Sequence, residues 1–140
     1  MGTTDWMDAY LDAWNSRDGS QVTAYMTQDA TYEDLALGVL HEGVDAIKVF
    51  VEEAGAFSSD YRFTPVSQQQ SGSSYCLEWE MAGTHTGEGG GLPATNKPYL
   101  IRGVSVGQLD GNGKIRQNRD YWNMADYLMQ VGLIPPPDAG

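Results

Sequence analysis

The sequence of 140 residues contains one cysteine, two histidines and no long apolar run. A single cysteine, Cys76, excludes a disulfide within the chain, and together with two histidines it falls short of the four ligands of a structural zinc site. No stretch approaches the roughly 18 continuous apolar residues of a membrane-spanning helix, and no basic segment followed by an apolar run opens the chain. We therefore expect no metal site, no membrane span and a cytoplasmic location.

Basic residues are also scarce, with 8 lysines and arginines against 19 acidic residues and a net charge of -11. Such a surface repels phosphate backbones and anionic lipids, so we expect neither nucleic acid nor a membrane as a partner. Apolar residues nevertheless make up 41% of the chain, including four tryptophans and eight tyrosines. This composition and length predict one globular domain spanning residues 1–140.

Helical spacing of apolar residues recurs near the N-terminus, in the middle and near the C-terminus. Thr3 or Thr4 is a candidate N-cap for a first helix with the apolar positions Trp6, Met7, Tyr10, Leu11 and Trp14. A shorter helix is predicted to end near Met26, and a longer one to run from Gly43 to Gly55. A last helix is predicted over 124–131, before Gly132 and the prolines at 135–137.

Between these helices the sequence alternates with the period of a β-strand. A short strand is predicted over 30–35, and four longer ones, joined by short turns, over 61–70, 75–85, 98–109 and 114–122. Consecutive strands joined by short turns indicate an antiparallel meander. The order of elements predicts an α+β fold in which a curved antiparallel sheet wraps around the N-terminal helices.

Three parts of the sequence form a recognisable pattern: the turn and strand Gly111-Asn112-Gly113-Lys114-Ile115 to Arg119-Asp120-Tyr121-Trp122, the segment Gly83-Thr84-His85-Thr86-Gly87 with Arg102-Gly103-Val104, and the segment 40–47. They resemble the corresponding parts of SnoaL-like polyketide cyclases and limonene-epoxide-hydrolase-like proteins. The resemblance spans about residues 30–123. It implies a cone-shaped roll, the cystatin-like α+β barrel of the nuclear-transport-factor-like superfamily. Members are commonly homodimers with an apolar cavity on the concave face of the sheet, closed by the N-terminal helices.

Asp120 is the first candidate for a catalytic residue. Strand alternation places Asn118, Asp120 and Trp122 on one face. The resemblance matches Asp120 to the aspartate that serves as general acid and base in SnoaL-type cyclases. Burial beside Trp122 would raise its pKa into the range where proton transfer at neutral pH is efficient, whereas a structural aspartate would bond the backbone or an arginine.

Tyr32 and Asp34 form a second candidate pair, two residues apart on a strand and so on one face. The resemblance matches them to the Tyr-x-Asn pair that holds water in epoxide-hydrolase-like proteins, with Asp34 in place of asparagine. If Asp34 and Asp120 share a cavity, repulsion keeps one of them protonated and yields an acid and a base. The alternative is that Asp34 is a surface turn residue. Trp79 and Met81 stand where an epoxide hydrolase has its arginine and aspartate.

Further residues are candidates for substrate contacts. Alternation gives the strand 75–85 an apolar face, and the predicted contacts of the cavity are Trp14, Trp79, Met81, Asn118 and Trp122. His85 is a candidate second proton-transfer group or an exposed loop residue, and Arg102 either pairs with Asp120 or a substrate carbonyl or lies exposed. The segment 87–91 is predicted to be a mobile flap at the cavity mouth.

These residues favour an enzyme that uses no cofactor and acts on a small, hydrophobic, oxygenated molecule of polyketide or terpenoid type. Asp120, Asp34 and Tyr32 would carry a cyclisation or isomerisation by acid and base catalysis. Two alternatives stay open. One is water addition, as in an epoxide hydrolase or hydratase, and the other is a ligand-binding module without catalysis.

Overall fold

The computed structural model describes residues 4–88 and 93–137. Within them the helices are α1 (Asp5–Asn15), α2 (Gly19–Thr23), α3 (Val44–Phe57) and α4 (Met124–Gln130). The strands are β1 (Met26–Asp34), β2 (Val39–Glu42), β3 (Arg62–Ser71), β4 (Ser74–Thr84), β5 (Pro98–Leu109) and β6 (Ile115–Trp122). The predicted α+β class, with a curved sheet and N-terminal helices, is confirmed.

All six strands form one sheet in the order β2-β1-β6-β5-β4-β3. The meander from β3 to β6 is antiparallel, as predicted. The first strand departs from the prediction, because β1 pairs parallel with β6 and places Tyr32 beside Asn118 and Asp34 beside Asp120. A parallel pair needs a long connection, and here the whole of α3 and the meander provide it.

The helices pack on the concave face of this sheet and close a core rich in aromatic rings. On α1 the buried residues Met7, Tyr10, Leu11 and Trp14 follow the i, i+3, i+4, i+7 spacing of one helix face. Trp14 packs against Tyr32, Phe50 and Phe63, with ring centroids 5.9, 6.4 and 5.6 Å away. The core thus joins α1 and α3 to β1 and β3.

Element boundaries differ from the predictions in three places. Residues 39–42, for which no strand was predicted, form β2, which pairs with β1. The second helix ends at Thr23 and Met26 already begins β1, because Met26 pairs with Ile115 of β6. The middle helix passes through Gly55 to Phe57, since an interior glycine weakens a helix without ending it. Thr4 occupies the N-cap position of α1, but its side chain makes no capping hydrogen bond, and Thr3 lies outside the described residues.

The two faces of the meander have the polarity that alternation predicts. Tyr75, Leu77 and Trp79 on β4 are buried, whereas the intervening Glu78 and Glu80 remain partly exposed. No helix within the described residues has the length and apolar character needed to cross a membrane.

Candidate active site

Asp120 lies at the centre of a buried polar network on the concave face. Its carboxylate accepts hydrogen bonds from the hydroxyl of Ser105 at 2.6 Å, from the amide of Asn118 at 2.9 Å and from the hydroxyl of Tyr32. Asp120 is only 6% exposed. Strand register explains the arrangement, because Ser105 is directly opposite Asp120 on β5 and Tyr32 is on the neighbouring β1.

A second layer of donors holds this network in place. The indole N–H of Trp79 donates to the Ser105 hydroxyl at 3.0 Å, and the Tyr75 hydroxyl donates to the Asn118 carbonyl oxygen at 2.5 Å. Both rings begin on β4 and reach across β5. Ser105 and Asn118 are thereby fixed in the orientation that serves the carboxylate.

Two glycines of β5 make this reach sterically feasible. A Cβ atom at Gly103 would lie 2.3 Å from the Trp79 ring, and one at Gly107 would lie 2.5 Å from the Tyr75 hydroxyl and 2.1 Å from a backbone oxygen. Glycine in a strand interior often marks such a close approach. The spacing of Gly103, Ser105 and Gly107 along the concave face therefore shapes the site.

The surroundings of Asp120 favour its protonated form more than water does. Burial raises the pKa of Asp120 to about 6, and the negative charge of Asp34 adds to the rise, while the hydrogen bonds from Ser105, Tyr32 and Asn118 oppose it. All three donors are neutral. A carboxyl group with a pKa near 6 exchanges protons readily at neutral pH.

Asp34 is also buried, at 5% exposure, and lies beside Asp120 in register. Both of its carboxylate oxygens lie 3.0 Å from the indole nitrogen of Trp122, and one accepts the backbone N–H of Leu37 at 2.9 Å. The surface-turn alternative for Asp34 is therefore wrong. The two carboxylates occupy neighbouring strands but use separate donors.

Tyr10 is a residue of the site that sequence reasoning missed. Its hydroxyl is buried and has no hydrogen-bond partner among the described residues. Burial raises the pKa of this hydroxyl well above its usual range and the nearby charge of Asp120 adds to the rise, whereas the Trp14 indole N–H near the hydroxyl oxygen opposes it. Because an indole N–H can only donate, the Tyr10 hydroxyl proton is left without an acceptor among the described residues. In the sequence Tyr10 is one of several apolar positions on a helix, so only the fold reveals that it faces Asp120. Ser105 was missed because nothing marks it within β5, and Tyr75, on the predicted apolar face of β4, was not recognised as a hydrogen-bond donor.

The other predicted contacts divide between the interior and the surface. Trp14 and Trp79 are buried in the core, Met81 is half-buried against it, and Asn118 and Trp122 bond the two carboxylates. His85 is fully buried rather than an exposed loop residue. For Arg102 the exposed alternative is confirmed and the substrate contact is wrong: it lies on the convex face, 72% exposed, and pairs with Glu80 at 3.0 Å, because its neighbours in the strand take the concave positions.

Outside the network around Asp120, three features bear on function: possible metal ligands, a surface depression and the segment after His85. Residues 4–88 and 93–137 contain no group of three His, Cys, Asp or Glu side chains that could hold a metal ion. A shallow surface depression of about 560 Å³ lies between α1, α2 and Lys114, away from Asp120. The predicted flap over 87–91 falls largely outside the described residues, although the N–H of Gly87 donates to Phe57 O at 2.9 Å.

With this geometry established, comparison with known proteins identifies the family. The model of the SnoaL-like polyketide cyclases matches residues 4–131. The chain belongs to this family. No curated protein matches it.

Solved structures share the fold at low sequence identity. A hypothetical protein from Catenulispora acidiphila DSM 44928 with a ketosteroid isomerase-like fold, in complex with trimethylamine, is 21% identical with a TM-score of 0.80, over 94% of this chain and 95% of that one. A candidate polyketide cyclase from Pseudomonas putida KT2440 is 24% identical with a TM-score of 0.79, over 94% and 98%. AclR, a candidate hydroxylase from Streptomyces galilaeus, is 20% identical with a TM-score of 0.79, over 95% and 82%. At these identities the likeness establishes the fold, and it leaves the reaction to be argued from the site.

Proposed function

We propose that this SnoaL-like protein is an enzyme that moves a proton on a hydrophobic, oxygenated small molecule, with Asp120 as general base and then general acid. The observation that carries the proposal is a buried carboxylate held by three neutral donors on the concave face. Structural carboxylates are typically paired with a cation or bound to a helix N-terminus, and among the described residues Asp120 has neither partner.

The reaction that fits is proton transfer at a carbon next to a carbonyl. The Asp120 carboxylate takes the proton, and the electron pair of the C–H bond passes to the carbonyl oxygen as an enolate. In a cyclisation the enolate carbon then attacks a second carbonyl carbon, and the Asp120 carboxyl returns the proton to the new alkoxide. In an isomerisation the proton returns to another carbon. With a pKa of about 6, Asp120 is mostly ionised at pH 7 and ready to act as the base.

Tyr10 supplies what the enolate oxygen needs. A buried hydroxyl without a partner costs about 1–3 kcal/mol, and a substrate oxygen that accepts its proton in a hydrogen bond recovers this cost. Donors aimed at the developing negative charge lower the barrier. In this proposal Tyr10 stabilises the oxygen while Tyr32, Ser105 and Asn118 hold the Asp120 carboxylate in position.

Water addition is the weaker candidate. Tyr32 donates to Asp120, whereas Asp34 accepts from Trp122, so the two do not converge on a common third group. Trp79 and Met81 also stand at the positions matched to the arginine and aspartate of the epoxide-hydrolase-like proteins. A ligand-binding module would use the same interior without needing the ionised form of Asp120.

Exchange of α-protons in D₂O separates these candidates. With the flat aromatic ketone 2-acetylnaphthalene as probe, we expect the wild-type protein to accelerate deuteration of the methyl group, followed by NMR. Asp120→Asn should lower the rate by about 10² to 10⁴, the usual contribution of a general base. Asp29→Asn, at an exposed position, is the matched control. Exchange by Asp120→Asn at the wild-type rate would contradict the proposal and favour the binding module.

A further inference from the structure

A second group of buried polar atoms lies where the chain leaves β6 and enters α4. Five rings, here called the end cluster, surround it: Phe57, His85, Tyr99, Trp122 and Tyr127. The Tyr127 ring lies 5.0 Å from Tyr99, 6.1 Å from Trp122 and 6.3 Å from His85, measured between centroids. His85 also packs on Phe57 at 4.4 Å. The end cluster is thus mostly apolar, and a polar atom buried in it costs free energy unless it makes a hydrogen bond.

Two polar atoms of the end cluster have no partner among the described residues: the Tyr127 hydroxyl and Nε2 of His85. Tyr127 is 7% exposed and His85 is fully buried. The other ring nitrogen of His85, Nδ1, lies 3.1 Å from the Thr95 hydroxyl, which can donate or accept, and 3.4 Å from the backbone nitrogen of Thr95, whose N–H can only donate. A neutral histidine that accepts at Nδ1 carries its proton on Nε2. His85 and Tyr127 therefore present two unused donors.

The end cluster continues the surface that carries Asp120. Trp122 and Asp120 share the concave face of β6, two residues and roughly 7 Å apart along the strand. The Trp122 ring then contacts Tyr127. A ligand whose reacting carbon lies at Asp120 would reach the end cluster if it were on the order of 10 Å long.

We propose that His85 and Tyr127 bind a second acceptor oxygen of the substrate, at the end remote from Asp120. The substrate class is then a flat molecule with two carbonyl groups, one at the reacting end and one at the remote end. This inference rests on the proposed function. It adds Tyr127 of α4 as a specificity-determining residue.

The attachment of α4 gives such a molecule a way in. The Gln130 side chain bonds the backbone of Leu100 twice, by accepting its N–H at 2.7 Å and donating to its carbonyl at 2.8 Å. Both bonds are exposed to solvent. Because exposed hydrogen bonds open at low cost, α4 can lift and carry Tyr127 away from the end cluster while the ligand enters.

The test compares 2,6-diacetylnaphthalene with 2-acetylnaphthalene, which differ by the remote carbonyl. Binding is measured by titration calorimetry with wild type, Tyr127→Phe and the exposed control Tyr121→Phe. We expect the wild type and control to prefer the diketone, and Tyr127→Phe to lose roughly fivefold in affinity for the diketone and less than twofold for the monoketone. Because the Tyr127 hydroxyl bonds none of the described residues, the variant should fold normally.

Histidine NMR provides a second measurement that needs no variant. We expect ¹⁵N shifts that place the proton of His85 on Nε2, and a change at Nε2 with the diketone but not with the monoketone. The inference would be overturned if Tyr127→Phe lost affinity equally for both probes. It would also be overturned if the wild type did not prefer the diketone or bound neither probe. Deuterium exchange in Asp120→Asn reports separately on the proposed function. If the wild type exchanges α-protons but does not bind the diketone more tightly, this inference alone is contradicted. If it binds the diketone more tightly but does not exchange α-protons, only the acid and base role of Asp120 is contradicted.

Discussion

The strands β4, β5 and β6 present two different surfaces. On the convex face, Arg102 and Glu80 form an ion pair in water. On the concave face of the same sheet, Asp120 of β6 is buried, and its hydrogen-bond donors among the described residues are neutral. Charges on the convex face are solvated, whereas each polar group on the concave face must find its partner inside the chain. A charged side chain on the concave face therefore needs a matching donor on a neighbouring strand, whereas one on the convex face does not.

The largest effect that separates the two faces should appear in stability as a function of pH. Between pH 3.8, the ordinary pKa, and about 6, the folded protein keeps a proton on Asp120 that the unfolded chain has lost. The free energy of unfolding should therefore fall by roughly 3 kcal/mol as pH rises through this window, and the fall should vanish in Asp120→Asn.

Urea unfolding at several pH values measures this effect. The convex-face control Arg102→Gln removes an exposed ion pair and should shift the whole curve by less than about 0.5 kcal/mol while retaining its slope. If the free energy of unfolding of the wild type and of Asp120→Asn depended on pH in the same way, burial would not have raised the pKa of Asp120.

A somewhat smaller effect is expected from Gly103→Ala. The new methyl group would collide with the Trp79 ring and displace it from Ser105, at a cost of about 1–3 kcal/mol in the free energy of unfolding. Gly111→Ala is the control, because no atom lies within 4 Å of a Cβ there. Equal stability of the two variants by urea unfolding would mean that Gly103 does not shape the concave face.

The smallest expected effect is a change in the pKa of Asp120 when the hydrogen bond from Tyr32 is removed. The hydrogen bond from Tyr32 lowers the pKa of Asp120, so Tyr32→Phe should raise that pKa above about 6. We expect the midpoint of the rise in α-proton exchange with pH to move upward by up to roughly one unit. Tyr121→Phe, on the convex face, should leave the midpoint in place. A downward shift in Tyr32→Phe would be inconsistent with the hydrogen bond described.

Local patterns predicted much of this molecule. Alternation placed Asp120 on one face with Trp122 and Trp79 on an apolar face, the resemblance assigned Asp120 to the interior, and the turn at 111–113 located the start of β6. Pairing between distant segments was beyond such patterns. The parallel register of β1 and β6 arises only in the folded chain, and β2 was missed because four residues between two glycines carry little periodic signal.

The same limit explains the site residues. Ser105 has no special signal among the valines of β5, and it becomes functional only when register sets it opposite Asp120. Arg102 was considered for the interior because a strand of mixed polarity does not reveal its own facing. Tyr10 resembles any apolar position of α1 until the helix is laid on the sheet.

Pairing of β1 with β6 also has a consequence for the order in which the protein folds. Tyr32 and Asp120, which are joined by a hydrogen bond, are 88 residues apart in the chain, whereas the strands of the meander are joined by short turns. Closing the long loop costs more entropy than closing a hairpin, so we expect the meander to form first and β1 to dock afterwards. During synthesis the N-terminal third must then wait until almost the whole chain has been made. Pulse-labelled hydrogen exchange should find the amides of β5 protected before those of β1, and simultaneous protection would rule this order out.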